Sequence, residues 1–328
     1  MLTPECYITF SSPDNKRYLE FKSVNSIEIE STWKKLTDTC KIIIPRKLVV
    51  NNRDGQPVDI NEIIKRGSRV KVWLGYDGNL GLEFVGYVAR IDARVPFAIE
   101  CEDEMWKMKQ TTISKTYRSV TLKQLISDIY PGKVNVTDFA LGAYRIDRAS
   151  AAVILDDLQK NFNVYSYFTY DDMGTPILNV GLGGYDFKKI SSRHVYNMMV
   201  NIVENDLVFR RADENKLRVV ATSTGKKGVV IKTEVGDPDG EEIKLDKRGL
   251  TKEALDKLAL AELQKRKFDG YKGGLTSFGV PKAKHNDIAV IQSPDYPERN
   301  GAFMIDSVKQ TFGMGGYRRQ LELGIKVK

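Results

Sequence analysis

Apolar and polar residues alternate most regularly near the end of the sequence. The apolar positions of this run are Leu321, Leu323, Ile325 and Val327, and the polar positions between or beside them are Gln320, Glu322, Lys326 and Lys328. A period of two places each set on its own face of an extended chain, which predicts a half-buried antiparallel strand. A glycine-rich turn at 313–316 separates this run from another alternating run at 302–311. The pair therefore predicts a β-hairpin.

Residues 188–328 as a whole are predicted to form a β domain that contains one long helix. Further strands are expected at 198–210, 217–222, 229–235, 271–278 and 288–291. The helix is expected at 251–267, because Leu255, Leu258, Ala259 and Leu263 recur at helical spacing and Gly270 follows.

Residues 1–110 are predicted to form another β domain. Its strands are expected at 6–10, 18–22, 27–30, 41–44, 70–74, 84–91 and 97–101. An insertion at 48–67 interrupts them with a polar turn and a short helix, which Asp59 is expected to cap and Gly67 to end.

The intervening residues 111–187 are predicted to form a small α/β domain. Thr121 is expected to cap one helix and Ser150 a second. The second helix is predicted to bury an apolar set made of Val153, Ile154, Leu158 and Phe162. A hairpin is expected to follow at 164–180.

The two predicted β domains resemble each other. Residues 67–72 have the pattern of 286–290, and residues 86–92 have the pattern of 301–306. Each pair precedes one more alternating strand. We therefore predict an α+β fold that is predominantly antiparallel β, with two similar barrels flanking the small α/β domain.

Composition indicates a soluble protein with reduced cysteines. The chain has 328 residues, of which 41% are hydrophobic and 29% charged, and this length suits two or three domains. No apolar run is long enough to span a membrane, and the N-terminus lacks the charged and then apolar pattern of a signal peptide. We therefore expect synthesis in a cytoplasm and no membrane anchor. Cys6, Cys40 and Cys101 are expected to be buried thiols.

The net charge of +8 does not by itself indicate a nucleic-acid-binding protein. Basic and acidic residues are interspersed along the chain, and no basic stripe stands out of the kind that a DNA-binding surface needs. A mixed, solvated surface accounts for the charge.

No set of residues in the sequence has the spacing of a catalytic or metal site. The two histidines, His194 and His285, lack partners at ligand spacing, and His285 is expected to be exposed in a polar turn. The glycine-rich segments 181–184 and 225–228 lack the helix that a phosphate-binding loop requires. Neighbouring carboxylates at 102–104 point to opposite faces of a strand. We expect no catalytic activity, no cofactor and no metal.

An ordered series of residues in the last third of the chain resembles the late control protein D family, the baseplate hub proteins of phage tails. The residues of this motif are Gly270, Tyr271, Gly273, Pro281, Asp287, Phe303, Gly316, Tyr317, Leu321, Leu323 and Gly324. Residues 37–45 and 150–168 also resemble this family.

The resemblance implies a structural protein of the virion. It implies two barrels that resemble the tail-tube subunit, and a homotrimer whose six barrels form a pseudo-sixfold ring. The implied partners are the tail tube protein, the central spike protein and baseplate wedge proteins, and DNA would pass through the channel without specific binding. Assembly would take place in the cytoplasm of the host bacterium.

Other interpretations of the sequence remain open. The same fold suits the hub of a non-phage contractile injection system or of a non-contractile tail. A peptidoglycan-acting tail enzyme and a single-stranded nucleic-acid-binding protein are less favoured. For the second, the aromatic residues in 165–170 would form a stacking surface, although alternating aromatic residues in a hairpin more often pack in a core.

The insertion at 48–67 is the predicted contact with a neighbouring subunit or with the tail tube. Its candidate interface residues are Asn51, Asn52, Arg53 and Asp54. A long insertion at the edge of a predicted barrel is expected to extend far enough to contact another protein.

Overall fold

The computed structural model describes residues 2–44, 50–51, 57–58, 60–92, 97–171, 173–182, 192–214, 216–225 and 229–327. Most of these residues lie in β-strands, and most strand pairs are antiparallel. None of the helices within these ranges is both long and apolar enough to cross a membrane.

The N-terminal region consists of strands with two one-turn helices. Its elements are β1 (Pro4–Ser11), β2 (Tyr18–Phe21), β3 (Ser26–Thr32), β4 (Thr39–Ile44), β5 (Val50–Asn51), β6 (Pro57–Val58), α1 (Ile60–Ile63), β7 (Arg69–Tyr76), β8 (Asn79–Asp92), β9 (Phe97–Glu102) and α2 (Met105–Met108). The period of two decides which side chains are buried. In β4, Cys40, Ile42 and Ile44 are buried in the core.

The middle region is a small α/β module. It consists of β10 (Thr112–Thr121), α3 (Leu122–Ile129), β11 (Lys133–Val136), β12 (Ala140–Ser150), α4 (Ala151–Phe162), β13 (Val164–Tyr170) and β14 (Pro176–Leu182). Both predicted caps are confirmed, since the hydroxyls of Thr121 and Ser150 accept hydrogen bonds from the first turns of α3 and α4. The prediction for Val153 is wrong. It lies on the outer side of α4 and is 56% exposed.

The C-terminal region contains more separate strands than expected. Its elements are β15 (Arg193–Asn197), β16 (Ile202–Asn205), β17 (Val208–Arg210), β18 (Leu217–Thr224), β19 (Val230–Gly236), β20 (Glu241–Arg248), α5 (Lys252–Arg266), β21 (Gly270–Lys272), β22 (Gly274–Phe278), β23 (Ile288–Gln292), a 3-10 turn (Pro297–Arg299), β24 (Gly301–Gly313) and β25 (Gly316–Val327). Gly273 divides the predicted strand at 271–278, because it adopts a φ of 113° that favours glycine.

Strands β18, β19 and β20 form a sheet of their own, which packs on α5. Val219 and Ala221 of β18 face Leu255 and Ala259 of the helix, and all four are fully buried. This unit therefore has a small core separate from that of the surrounding strands.

Thirteen of the remaining strands of the two β regions belong to one sheet, while β5 pairs with β6 and β17 pairs with β21 in two separate two-stranded sheets. The main path is β16-β22-β25-β24-β3-β4-β9-β8-β7-β1-β2, and β23 and β15 continue from β24 on a branch. Strand β3 joins the halves by pairing antiparallel with β24, from Ser26 opposite Gly313 to Thr32 opposite Ser307. Among the described residues neither half closes into a barrel of its own. The two-barrel arrangement stays a prediction.

The strand order of the two β regions is repeated. In the first region the order is β3-β4-β9-β8-β7, and in the second it is β16-β22-β25-β24-β23. Backbone hydrogen bonds fix the equivalence: Val88 exchanges them with Gly67 and Ser68, and Ile305 exchanges them with Asn286 and Asp287. Val88 therefore corresponds to Ile305. The sequence comparison of 86–92 with 301–306 therefore aligns β8 with β24 two residues away from this structural correspondence.

Candidate functional site

The junction between the two β regions holds the largest fully buried side chain of the described residues, Arg319. It lies in β25 on the face that also carries Tyr317 and Leu321, because the period of two puts every second residue inside. A guanidinium in this position has no water to solvate it, so protein groups must supply its hydrogen bonds.

Arg319 obtains those bonds from both β regions. Its Nη2 lies 2.8 Å from Oε1 of Glu83 in β8, whose side chain is 3% exposed. It also donates to the carbonyl oxygens of Gly279 and Ala283, at 3.2 and 2.7 Å, and to the hydroxyl of Tyr317 at 2.8 Å. Burial opposes its charge, but Glu83 and Tyr317 outweigh burial and raise the pKa of Arg319. The pair is a buried, hydrogen-bonded link between N-terminal and C-terminal strands.

Two tyrosines extend this link. Tyr76 of β7 donates its hydroxyl hydrogen to the carbonyl of Tyr317 at 2.6 Å and accepts the N–H of Gly279 at 3.2 Å. The ring of Tyr317 is fully buried within the N-terminal core, although it belongs to β25. The last strand of the chain thus supplies a core side chain to the first region.

Asp306 forms a second polar link, at the irregularity where β24 passes from β23 to β3. Its carboxylate accepts the indole N–H of Trp33 at 3.1 Å and pairs with Lys34, and its carbonyl accepts the hydroxyl of Thr32 at 2.8 Å. Gly324 is required opposite, since a Cβ there would lie 2.3 Å from the Asp306 carboxylate. These contacts fix the middle of β24 against the end of β3.

The middle module packs against the same junction. Trp33, Tyr167 and Met304 form a small buried cluster, with Tyr165 and Ile325 beside it. The Trp33 and Tyr165 rings meet edge to face with centroids 4.8 Å apart. One residue from each of the three regions therefore shares a single core.

A cavity of about 730 Å³ lies where these regions meet, lined by parts of β3, β8, β13 and residues 282–287. Burial raises the pKa of Asp103 to about 7, and burial together with the charge of Asp103 raises that of Asp38. Burial lowers the pKa of His285 to about 4. The His285 Nε2 lies 3.9 Å from Asp38 Oδ2.

His285 is not the exposed turn residue that the sequence predicted. It is 8% exposed, and its ring packs edge to face on Tyr167 with centroids 4.8 Å apart. The surrounding turn is covered by the middle module, which sequence patterning did not reveal. His194 instead lies 3.0 Å from the Asp287 carboxylate. Within the described ranges, no group of three His, Cys, Asp or Glu side chains is arranged to hold a metal ion.

The motif residues that suggested the family resemblance lie in the C-terminal part of the sheet. The structure brings Tyr271, Phe303, Leu321 and Leu323 into one buried cluster. Gly270 lies against them, since a Cβ there would approach the Phe303 ring to 2.8 Å. These five residues have a packing role.

The other motif residues are dispersed around this cluster. Gly273, between β21 and β22, and Gly316, the first residue of β25, both have positive φ, and Pro281 follows a cis peptide bond. Asp287 accepts the backbone N–H groups of Ser192 and Lys284. Tyr317 and Gly324 belong to the junction described above.

The candidate interface at 51–54 is only partly described. Asn51 lies in β5, which pairs with β6, whereas Asn52, Arg53 and Asp54 lie outside the described residues. The insertion that contains them also contributes to the fold, because Ile63 and Ile64 are buried in the N-terminal core.

Comparison with known proteins finds similarity in structure only. No model of a known protein family matches the chain, and no curated protein matches it. The tail protein of Neisseria meningitidis MC58 has a TM-score of 0.64 and 13% identity, covering 97% of this chain and 96% of that one. The 43 kDa tail protein of prophage MuSo2 from Shewanella oneidensis has a TM-score of 0.61 and 16% identity, covering 97% of each chain. The chain shares the fold of these tail proteins.

The same fold occurs in a secretion apparatus. The E. coli c3393 protein is a component of the type VI secretion system and is structurally similar to the T4 bacteriophage tail proteins gp27 and gp5. Its TM-score to this chain is 0.58 at 8% identity, covering 93% of this chain and 74% of that one.

Replacing Arg319 tests the buried link. Arg319→Met leaves Glu83 buried and unpaired, so we expect a loss of roughly 3–5 kcal/mol in the free energy of unfolding. The double variant Glu83→Leu with Arg319→Met removes both charges and is expected to recover part of this loss. Chemical denaturation at pH 7 measures both, with Arg318→Met on the opposite face as the control. A cost no larger for Arg319→Met than for Arg318→Met would contradict this role.

Asp103 predicts a pH dependence of stability. Its pKa of about 7 lies above the ordinary value of 3.8, so its contribution to stability is present at low pH and is lost as pH rises through 7. Asp103→Asn is therefore expected to gain stability relative to the parent between pH 5 and 8, as measured by denaturation across this range.

The control for this experiment is Asp128→Asn. Hydrogen bonds from Lys115 and Tyr117 lower the pKa of Asp128, so its carboxyl titrates below this window and any cost should not change between pH 5 and 8. An equally constant difference for Asp103→Asn would contradict the burial of its charge.

Proposed function

We propose that this chain is the structural baseplate hub of a phage or prophage contractile tail, in line with its resemblance to the late control protein D family. In this proposal three copies form a pseudo-sixfold ring of tube-like barrels. The ring joins the tail tube to the central spike, contacts baseplate wedge proteins and surrounds the channel, through which DNA passes without specific binding. The protein would be located in the tail baseplate of the virion.

The observation that carries this proposal is the repeated strand order within one continuous sheet. A chain with two similar β units supplies two positions of a ring, so three copies supply six. The fold shared with tail proteins along nearly the whole chain supports the same assignment.

A non-catalytic role agrees with the chemistry of the junction. Buried charged groups there have partners within the protein, as when Asp103 accepts the N–H of Met105 at 3.0 Å and Arg319 pairs with Glu83. The aromatic residues at 165–170, considered above as a stacking surface for nucleic acid, pack inside instead. Tyr167 lies on His285, and Phe168 lies edge to face on Tyr130.

A second candidate is the hub of a non-phage contractile injection system. The likeness to a type VI secretion component favours it, and the fold does not distinguish it from a phage hub. Genes for a capsid beside those for a tape measure and a spike would decide for the phage, and their absence would decide for the injection system.

The assembly state tests the proposed hub. Native mass spectrometry is expected to show three copies, and electron microscopy a ring with a central opening. A chain that stays monomeric at high concentration would overturn the proposal.

We also propose that the segment 51–54 contacts a neighbouring subunit or the tail tube. Replacing Asn52, Arg53 and Asp54 with glycine and serine is expected to weaken trimer formation or tube docking, with the thermal stability of the subunit unchanged. Deleting all of 48–67 is unsuitable, since it removes the core residues Ile63 and Ile64. Unaltered assembly and docking would count against this contact.

A further inference from the structure

Two carboxylates continue the row of inward side chains that β4 and β9 share. In this row Cys40 lies opposite Cys101, and the positions two residues beyond them are Asp38 and Asp103. The backbone N–H of Asp103 donates to the carbonyl of Asp38 at 3.1 Å, so the pairing continues past the end of β4 and of β9. The period of two therefore places both carboxylates on the side that faces the core. We call Asp38 and Asp103 the acid pair.

The acid pair has little access to solvent. Asp103 is 1% exposed, and the side chain of Asp38 is 14% exposed. Carboxylates that lie directly opposite each other repel when both are ionised, and burial adds to the cost of their charges. Both effects favour a state in which the pair keeps a proton. The raised pKa values of Asp103, about 7, and of Asp38 agree with this geometry.

The charged groups at and after the end of β9 form ion pairs with one another. Lys109 attracts a charge on Asp103, but its ammonium lies 2.8 Å from the carboxylate of Glu102, which repels that charge. Glu104 is 7% exposed, and the ammonium of Lys107 lies 3.0 Å from its carboxylate. Neither ion pair leaves a cation to neutralise the acid pair.

The middle module faces the acid pair with Tyr170 of β13. The hydroxyl of Tyr170 accepts the backbone N–H of Glu104 at 3.2 Å. Burial, followed by the charge of Asp103, raises the pKa of Tyr170, so this hydroxyl stays neutral. The middle module therefore covers the acid pair without supplying a charge that balances it.

The C-terminal region faces the acid pair with His285, in the turn before β23. The Nε2 of His285 lies 3.9 Å from Oδ2 of Asp38, and the ring packs on Tyr167 of the middle module. Burial lowers the pKa of His285 to about 4, while Asp287 and Lys284 act on it in opposite directions. His285 is therefore neutral near pH 7 and does not balance a negative charge.

The cavity between the three regions gives water a route to the acid pair. Asp38, Asp103, Tyr170 and His285 all line this cavity of about 730 Å³. Ionised carboxylates that lack a cation need water. Water reaches both carboxylates when the covering side chains of β13 and of residues 282–287 move away from the ends of β4 and β9.

We propose that the acid pair acts as a proton-dependent clamp on this joint. While the pair keeps a proton, β13 and residues 282–287 stay packed against the ends of β4 and β9. When both carboxylates ionise, the joint opens and water enters from the cavity. The clamp is a property of the single chain, so it does not depend on the proposed trimer or on the proposed hub.

The groups around the joint determine the pH range of this change. The acid pair binds more protons in the closed joint than in the open one, because its pKa values are raised there, so rising pH favours opening. His285 acts in the opposite direction. Its pKa is lowered in the closed joint, so it favours opening as the pH falls below its ordinary value of 6.5. The range from pH 6.5 to 8 therefore reports on the acid pair.

Hydrogen exchange measures the opening. The backbone N–H of Glu104 loses its bond to Tyr170 when the joint opens. Its exchange rate, corrected for the intrinsic effect of pH, therefore reports the opening equilibrium. We expect this corrected rate to rise roughly tenfold or more between pH 6.5 and 8, as protons are released from the pair. The corrected rates in β18, β19 and β20, which have a separate core, are expected to stay constant.

Replacing the acid pair with amides isolates its contribution. The double variant Asp38→Asn with Asp103→Asn does not ionise, so the rise at Glu104 is expected to disappear. Asp38→Asn alone removes the neighbouring charge and is expected to reduce the rise, which provides a test if the double variant does not fold. The control Asp128→Asn leaves the acid pair intact and is expected to retain the full rise.

Three results would overturn the clamp. The first is a parent protein whose corrected exchange at Glu104 is the same at pH 6.5 and 8. The second is an amide variant of the acid pair that folds and keeps the full rise. The third is an equal rise in β18, β19 and β20, since it would show that the whole chain unfolds rather than this joint.

Discussion

The ion pair between Arg319 and Glu83 is the contact on which the relative position of the two β regions depends. Arg319 is fully buried and Glu83 nearly so, and they lie on strands from opposite ends of the chain. A buried pair of this kind contributes little net stability compared with apolar residues of the same size, but breaking it is costly. Its effect is therefore specificity: any packing of β25 that separates Arg319 from Glu83 leaves two charges without solvent.

The sheet can continue through the junction because several independent contacts agree with that pair. Tyr317 enters the N-terminal core, and Asp306 holds Trp33 and Thr32 at the point where β24 begins to pair with β3. The surface ion pairs of Lys309 with Glu28 and Glu30 across these strands add only modest energy, since exposed pairs contribute up to about 1 kcal/mol. The buried polar contacts therefore determine the register of β24 against β3, and the exposed ion pairs form as a result of that register.

Alternation in the sequence predicted most strands, because burial of every second residue is a local property of an extended chain. The same alternation places Arg319 on the apolar face of β25, so the sequence pattern is consistent with its burial. The pattern does not identify the residue that pairs with its charge. The burial of His285 does not follow from its local sequence, because Tyr167 of β13, more than a hundred residues away, covers it. The two-residue error in aligning the repeats kept every side chain on its correct face, which is why pattern alone did not detect it. Hydrogen bonds of Val88 and Ile305 were needed to correct it.

The middle module adds side-chain contacts to the backbone pairing that joins the two β regions. Trp33 packs on Tyr165, and His285 packs on Tyr167, so β13 touches both sides of the junction. In addition, Gln159 of α4 donates to the carbonyl of Lys34 at 2.9 Å. A sheet joined by backbone pairing alone can twist at the joint, whereas side chains from a third unit oppose that motion.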